Sequence, residues 1–455
     1  MGASLRPRHS FAVPADPYSS RPYYLGKGRM PVHPLSNLVR HARHHSPFYS
    51  DLYAALPPTV TDLTALPVVD QDSFWAANTV QDNRVLTGPL TEAVVYKTGG
   101  TTGAPKFSYY SREEWREFVT AFGQGLVDAG LRPGHRVADL FYAGDLYASF
   151  LFILDSLAHA PVDNVRLPIG GAAPLETTAP ALEDFRAQVV AGTPTTLCRL
   201  AAHLVTTGRQ LPAVELLFFG GEPLFADQRP LLAAAFPNAE PRSLGYASVD
   251  AGLLGRPVPG PDPRVHRTFT PHTVLEILDE TTGEPIRETG RPGRVVVTQL
   301  YRRLMPVLRY PAGDRAEWTD PEAGCFRILG RADEGVRVGP VSLSAQDAQD
   351  AVATADSGGR VVGTQLVVRR WEGRDGLVLR LATASGGAGA DDDAVLEALG
   401  HTVVDGLNRA RPLYPESVAA GHVHPLTVEW ARHADLVVNS RSGKLVRVVD
   451  ERPTA

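Results

Sequence analysis

Short apolar runs alternate with helical patterns in the first half of the chain, and this alternation constrains the fold more than any other feature. Residues 94–96, 136–141 and 216–219 are rich in the β-branched and aromatic residues typical of strands. Residues 112–129 and 150–158 have the side-chain spacing that predicts helices. Because strands separated by helices usually pair in parallel, the pattern predicts an α/β core with a parallel sheet.

The rest of the chain has different patterns. A single helix is predicted near the N-terminus, over residues 36–56. Further strands joined by turns are predicted at residues 273–279, 293–300, 305–310 and 325–329. We interpret these strands as a β-rich subdomain that closes the large domain. Beyond them, helices are predicted over residues 344–353 and 394–408 and strands over 365–369 and 377–381.

The predicted fold class is therefore α/β, with two domains. Residues 1–331 form a large N-terminal domain with parallel sheets and a β-rich subdomain. Residues 332–455 form a small, mobile α+β C-terminal lid domain, and about 120 residues is an ordinary size for such a unit.

Charge and composition exclude several classes of partner. The 455-residue chain has a net charge of −5 and no long basic run, which argues against nucleic acid and anionic membranes as partners. Residues 148–154, the most apolar stretch, are too short to span a bilayer, and residues 1–24 lack the apolar core of a signal peptide. Cys198 and Cys325 fit a reducing compartment. We expect a soluble, cytoplasmic monomer or homodimer.

A segment rich in glycine and threonine directly follows the strand predicted at residues 94–96. Residues 96–106 read YKTGGTTGAPK, and this composition is unsuitable for the interior of a helix or strand. Glycines let the backbone approach an anion, while amide groups, hydroxyls and a lysine donate hydrogen bonds to it. The segment does not match the Walker pattern, so the alternatives are a different phosphate loop or an ordinary glycine-rich turn. The candidate phosphate-binding residues are Thr98, Gly99, Gly100, Thr101, Thr102, Gly103 and Lys106.

Residues 98–106 resemble the phosphate loop of the adenylate-forming superfamily, which includes acyl-CoA synthetases, peptide-synthetase adenylation domains and firefly-type luciferases. Further segments resemble other motifs of that superfamily and occur in the same order along the chain. They are residues 219–224 (FGGEPL), 245–250 (GYASVD), 309–314 (RYPAGD), 330–334 (GRADE) and 441–447 (RSGKLVR). Chance agreement of ordered motifs over most of a chain is improbable. Residues 46–49 (SPFY) and the chain length most resemble the phenylacetate–CoA ligase branch.

The resemblance implies a nucleotide site. Tyr246 would stack on adenine, which buries an aromatic face. Asp314 would accept hydrogen bonds from the ribose hydroxyls, and Arg331 would contact the nucleotide. The remaining implied nucleotide-binding residues are Gly221, Glu222, Pro223, Ala247 and Ser248.

The resemblance also implies catalytic, hinge and metal-binding residues. Lys444 would stabilise charge on the carboxylate and the α-phosphate in the transition state. Asp333 would be the hinge about which the lid rotates between two half-reactions. Asp250 would hold Mg²⁺ as a hard oxygen ligand.

The acid pocket is expected to draw on residues 141–150, on the segment around Gly245 and on residues 167–171. These segments are rich in aromatic and small residues, which suits an aryl or arylalkenyl acid, although several of the aromatic residues could equally be core residues. The candidate pocket residues are Tyr142, Asp145, Tyr147 and Gly245.

Departures from the family pattern leave two questions open. Val249 aligns with the usual Thr or Ser and Asp250 with the usual Glu, so either Ser248 supplies the missing hydroxyl or the register differs by one residue. Arg337 stands where many relatives have lysine, and Pro340 lies in the loop that often receives the second substrate, which puts coenzyme A binding in doubt.

The resemblance implies that ATP and Mg²⁺ are used to convert a small carboxylic acid to an acyl-AMP with release of pyrophosphate. Transfer to coenzyme A or to a carrier-protein pantetheine is the favoured second step. An alternative is an ATP-dependent diazotase of secondary metabolism, which would adenylate nitrite and diazotise an amino-aryl acid. A non-catalytic nucleotide-binding module is a third alternative, which the presence of Lys444 and Asp314 disfavours.

Overall fold

The computed structural model describes residues 32–98, 106–331, 335–384 and 390–452. The α-helices in these ranges are α1 (Leu35–His45), α2 (Pro47–Leu52), α3 (Gln71–Ala77), α4 (Arg112–Asp128), α5 (Ser149–Ala158), α6 (Leu175–Asp184), α7 (Pro194–Thr206), α8 (Arg229–Ala235), α9 (Ala345–Ala355), α10 (Ala390–Ala410) and α11 (Leu413–Ala419).

The strands are β1 (Ala93–Lys97), β2 (Phe107–Ser111), β3 (His135–Asp139), β4 (Asn164–Pro168), β5 (Val189–Gly192), β6 (Leu216–Phe219), β7 (Glu240–Ser243), β8 (Tyr246–Ser248), β9 (Gly252–Pro257), β10 (Val265–Thr268), β11 (Thr273–Leu278), β12 (Gly293–Gln299), β13 (Tyr310–Asp320), β14 (Cys325–Arg331), β15 (Gly335–Val338), β16 (Val341–Ser344), β17 (Val361–Trp371), β18 (Arg374–Thr383), β19 (Thr427–Arg432) and β20 (Val448–Asp450).

A five-stranded sheet in the order β4-β3-β5-β6-β7 forms the first layer of the N-terminal region. All of its strand pairs are parallel. Leu182 of α6, Leu197 of α7 and Leu231 of α8 belong to one apolar cluster of the sheet, while Phe118 of α4 and Ile153 of α5 belong to another. Helices therefore cover both faces, as a buried parallel sheet requires, and the predicted α/β core is confirmed. The strand predicted at residues 94–96 does not belong to this sheet, because β1 pairs antiparallel with β2 in a separate two-stranded sheet.

A seven-stranded antiparallel sheet in the order β11-β12-β13-β14-β10-β9-β8 forms the predicted β-rich subdomain. It packs through a shared apolar core against the helices α1 to α3. Strand β8, which carries Tyr246, lies at one edge, and β13 and β14 in the middle carry Asp314 and Arg331. This sheet therefore holds three predicted nucleotide-binding residues on separate strands.

Two predicted elements are wrong. The predicted helix over residues 36–56 is two helices, because Ser46 caps α2 and Pro47 occupies its first turn, where proline is favoured. Residues 305–309 do not form a strand, and β13 begins only at Tyr310. Met305, Val307 and Leu308 are fully buried without pairing as a strand, and Arg309 has a φ of 45° that interrupts an extended backbone.

The C-terminal region comprises the β15–β16 hairpin and a four-stranded sheet in the order β19-β18-β17-β20. Helices α9, α10 and α11 contribute to the same apolar core as these strands. Val362 of β17 packs in the apolar cluster of the parallel sheet, so the two regions are in contact. Residues 332–334, where we predicted the domain boundary, lie outside the described residues, and the boundary stays a prediction. In the described ranges, no helix combines the length and the apolar composition needed to cross a membrane.

Candidate active site

The predicted phosphate loop connects the two strands of a hairpin. Residues 99–105 lie outside the described residues, but their flanks are described. Lys97 of β1 pairs with Phe107 of β2, and the Thr98 amide donates a 2.8 Å hydrogen bond to the carbonyl of Lys106. The ammonium group of Lys106 lies 5.4 Å from the centre of the Trp75 ring, in cation–π geometry. The pairing brings Thr98 and Lys106 together at the end of this hairpin.

Asp250, the predicted Mg²⁺ ligand, has a hydrogen bond to each carboxylate oxygen. The Ser248 hydroxyl donates to Oδ1 at 2.8 Å, and the Tyr310 hydroxyl donates to Oδ2 at 3.0 Å. The Tyr310 hydroxyl in turn accepts a 3.1 Å hydrogen bond from Gln71 and one of the same length from Trp75. The hydrogen bonds to its two oxygens fix the orientation of the Asp250 carboxylate.

Ser248 and Val249 have different surroundings, which bears on the register of this motif. The Ser248 hydroxyl lies beside Asp250 and also accepts a 3.0 Å hydrogen bond from the Ala251 amide. The Val249 side chain packs against an apolar cluster, and its carbonyl accepts a 2.7 Å hydrogen bond from Tyr110. The hydroxyl beside the Asp250 carboxylate is therefore that of Ser248.

Tyr246, Asp314 and Arg331 come together from three strands. The Tyr246 hydroxyl donates a short hydrogen bond to Oδ2 of Asp314. Asp314 is paired with Arg331 across β13 and β14. Burial, with the negative charge of Asp314 as a second cause, raises the pKa of Tyr246 well above its usual value, so the hydroxyl stays protonated. Three of the predicted nucleotide-binding residues thus form one polar cluster.

Lys444, the predicted catalytic lysine, lies over the turn of residues 219–224. Gly221 in this turn has a φ of 79°, and a β-carbon there would lie 3.0 Å from Cε and 3.4 Å from Nζ of Lys444. The Glu222 carboxylate accepts hydrogen bonds from the Thr195 hydroxyl at 2.8 Å and from the Leu445 amide at 2.6 Å. Glu222 therefore connects the parallel-sheet region to the residue that follows Lys444.

The segment that carries Lys444 is a tight loop. The Asn439 carbonyl accepts a 2.7 Å hydrogen bond from the Gly443 amide, and the Asn439 amide donates to the carbonyl of Lys444 at 2.8 Å. Gly443 has a φ of 64°, and a β-carbon at this position would overlap the ring of Tyr142. Only glycine allows the loop to lie this close to Tyr142.

The predicted pocket residues have distinct environments. Tyr142 is buried between Gly171 and Gly443. Asp145 is largely exposed and pairs with Lys97, and Tyr147 lies under the guanidinium group of Arg441. Gly245 lies against the backbone of β9, where a β-carbon would come within 3.0 Å of a carbonyl oxygen. Their roles in acid binding stay predictions.

Pro223 and Ala247 are partly buried beside these clusters, whereas Asp333 lies outside the described residues. Tyr310, Thr195 and Arg441 contact the predicted site residues Asp250, Glu222 and Tyr147, respectively, but the sequence did not identify them. Tyr310 and Arg441 belong to motifs from which we selected only Asp314 and Lys444. Thr195 follows the carboxyl end of a parallel strand, a position where binding residues commonly lie, and this signal could have identified it.

The described residues contain no group of three or more histidine, cysteine, aspartate or glutamate side chains suited to hold a metal ion. Mg²⁺ is commonly bound through one or two carboxylates together with substrate phosphates, so the single oriented carboxylate of Asp250 fits this ion. The polar cluster at Tyr246 and the glycine turn at Gly221 likewise fit a nucleotide, because they offer hydrogen-bonding groups beside an open backbone.

No protein-family model matches the chain. The chain is 26% identical to a phenylacetate–coenzyme A ligase of Thermus thermophilus over 340 residues, which cover 68% of this chain and 73% of the relative. A solved structure of 2-hydroxyisobutyryl-CoA ligase with 2-HIB-AMP, in the postadenylation state, superposes with a TM-score of 0.70 at 20% identity and covers 91% of this chain and 88% of that chain.

The same ligase in its thioesterification state, with 2-HIB-AMP and CoA, covers the same shares of both chains at 21% identity, but the TM-score is only 0.57. The ordered motifs agree with these comparisons: the chain is similar in sequence to phenylacetate–coenzyme A ligases and shares the fold of adenylate-forming CoA ligases.

Proposed function

We propose that this protein uses ATP to adenylate a small aryl or arylalkenyl carboxylic acid and then transfers the acyl group to a thiol such as coenzyme A. The observation that carries the proposal is the position of Lys444 over Gly221, in the turn expected to contact the nucleotide. The phenylacetate–coenzyme A ligase relative supports an aryl acid, as do the aromatic side chains of Tyr142 and Tyr147.

In the first half-reaction, a carboxylate oxygen of the acid attacks the α-phosphorus of the substrate ATP, and the bond to pyrophosphate breaks. Negative charge accumulates on the α-phosphate oxygens as this bond forms. The ammonium group of Lys444 neutralises this charge in the transition state, when charge stabilisation most increases the rate. Tyr246, Asp314 and Arg331 hold the nucleoside part of the substrate.

Thr98 and Lys106 hold the phosphates together with the residues between them. A Mg²⁺ ion held by Asp250 would supply further charge neutralisation to the phosphates. The hydrogen bonds from Ser248 and Tyr310 to Asp250 would orient this carboxylate for the ion.

In the second half-reaction, a thiol attacks the acyl carbonyl, the bond to AMP breaks, and AMP leaves with both electrons of that bond. The thiol needs access to the acyl carbon, so the segment with Lys444 must withdraw. We propose that the C-terminal region rotates about Asp333, which breaks the hydrogen bond between Glu222 and the Leu445 amide. Closure before this step protects the labile acyl-AMP from water.

The experiment that tests the proposal is ATP-dependent pyrophosphate release, measured with a panel of aryl, arylalkenyl, amino-aryl and aliphatic acids, with and without coenzyme A and nitrite. Release that requires an acid, and a thioester that forms only with coenzyme A, would support the proposal. Release with an acid but no thioester would point to a carrier-protein pantetheine as the acceptor. Release with nitrite alone, followed by consumption of an amino-aryl acid, would replace the proposal with the diazotase reaction.

A further inference from the structure

We infer that Asp145 is a positioning residue that ties the phosphate-loop hairpin to the segment carrying Lys444 during the first half-reaction. Both carboxylate oxygens of Asp145 lie 2.6 Å from the ammonium nitrogen of Lys97. On its other side, Oδ2 of Asp145 lies 3.5 Å from Nη1 of Arg441. The Asp145 carboxylate thus bridges two cations: Lys97, which precedes Thr98, and Arg441, which lies three residues before Lys444.

The turn that carries Asp145 has an uncommon backbone. Gly144, Asp145 and Leu146 have φ values of 101°, 48° and 59°, so two consecutive residues with side chains adopt the left-handed region. Such residues persist where the surrounding structure holds them, and they concentrate at functional sites. Here the Leu146 carbonyl accepts a 3.0 Å hydrogen bond from the Lys97 amide, which fixes the turn against β1.

The same turn also supports the C-terminal segment through contacts that do not involve the Asp145 carboxylate. The guanidinium group of Arg441 lies 5.5 Å from the centre of the Tyr147 ring, and Gly443 lies against the ring of Tyr142. Residues 142–147 therefore underlie residues 441–443. Without the Asp145 carboxylate, Lys97 and Arg441 would repel each other, and this repulsion would disfavour the docked position of Lys444.

The exposure of Asp145 suits a reversible contact. Its side chain is 61% exposed, and exposed ion pairs contribute little to fold stability and are weakened by salt. Lys97, by hydrogen bonding and by its charge, lowers the pKa of Asp145, so the carboxylate is ionised at neutral pH. A contact of this kind biases the position of the lid and still breaks when the lid rotates, a movement that rests on the proposed function above.

The test is Asp145→Asn, with the two half-reactions measured separately. We expect acid-dependent pyrophosphate release to slow by about threefold, the size of effect expected from an exposed ion pair. Thioester formation from preformed acyl-AMP and coenzyme A should keep its rate, and KM for the acid should not change. An unchanged rate of pyrophosphate release, equal loss in both half-reactions, or a rise confined to KM for the acid would overturn the inference.

Asp51→Asn is the matched control, because Asp51 also forms an exposed ion pair, with Arg84, on a different part of the protein. It should leave both half-reactions unchanged. In a double-mutant cycle, Asp145→Asn and Arg441→Gln should be less than additive for pyrophosphate release; full additivity would show that the two residues do not act together.

A measurement without turnover separates this inference from the proposed function. Fluorescent labels on Val165→Cys and Val395→Cys, both at exposed positions, report the separation of the two regions. Asp145→Asn should shift the distance distribution of the free protein away from that of the unmutated chain, even if no acid in the panel is adenylated. An unchanged distribution would contradict the inference, and absence of acid-dependent pyrophosphate release from the unmutated chain would contradict the proposed function alone.

Discussion

The two sides of the candidate active site are held by different kinds of contact. On the side formed by the antiparallel sheet, Tyr246 is hydrogen-bonded to Asp314 and Tyr310 to Asp250, and each bond lies within one region of the chain. On the other side, Lys444 is held near Gly221 by a few contacts made across two regions, among them the hydrogen bond from Leu445 to Glu222. The first set of contacts is suited to bind a nucleotide in one fixed geometry. The second set is suited to dock and release a catalytic group.

Lys444→Ala should give the largest effect, because it removes a charge that acts in the transition state. We expect acid-dependent pyrophosphate release to fall by about 10³-fold, with little change in ATP affinity or thermal stability. Arg432→Ala, at an exposed ion pair in the same region, is the control and should have no effect. Normal pyrophosphate release by the Lys444 variant would remove this residue from the mechanism and end the distinction between the two sides.

Asp314→Ala should act on nucleotide binding. Hydrogen bonds to a charged group contribute about 1.5–3 kcal/mol, so KM for ATP should rise by about 10- to 100-fold, and the rate at saturating ATP should change less. Calorimetric titration with a non-hydrolysable ATP analogue measures the same loss directly. An effect on the rate alone, without a change in KM for ATP, would mean that Asp314 acts in catalysis and not in nucleotide binding.

Gly443→Ala should disturb docking without touching nucleotide binding. The new β-carbon would overlap the Tyr142 ring, and the residue would have to keep a φ of 64°. We expect pyrophosphate release to slow by about tenfold while ATP affinity is retained. Gly373→Ala is a matched control, because Gly373 has a φ of 76° but no neighbouring atom within 4 Å of the added carbon. Equal effects of the two substitutions would assign the loss to backbone strain and not to docking.

Asp139→Asn should have the smallest effect on pyrophosphate release, because it acts only on stability. Burial raises the pKa of Asp139 from 3.8 to about 8, so the folded protein keeps a proton that the unfolded chain loses. The stability of the N-terminal region should therefore fall as pH rises from about 4 to about 8. Asparagine is neutral throughout, so the gain in stability over the unmutated chain in urea unfolding should be larger at pH 8 than at pH 5. A difference that is the same at both pH values would contradict the buried, protonated state.

The sequence by itself determined the α/β character of the core, the β-rich subdomain and the resemblance to the adenylate-forming superfamily. These features are local, because periodicity, turn residues and short motifs depend on neighbours along the chain. The sequence did not determine that residues 305–309 are buried without pairing as a strand. An apolar run has the same composition whether it forms a paired strand or a buried irregular segment.

Only the tertiary structure decided which distant residues meet. Tyr246 and Asp314 are 68 positions apart, and Glu222 and Leu445 are 223 positions apart. The partners of Asp145 likewise come from β1 and from the C-terminal segment. Such contacts depend on how sheets and domains pack, and side-chain chemistry at any one position carries no record of that packing.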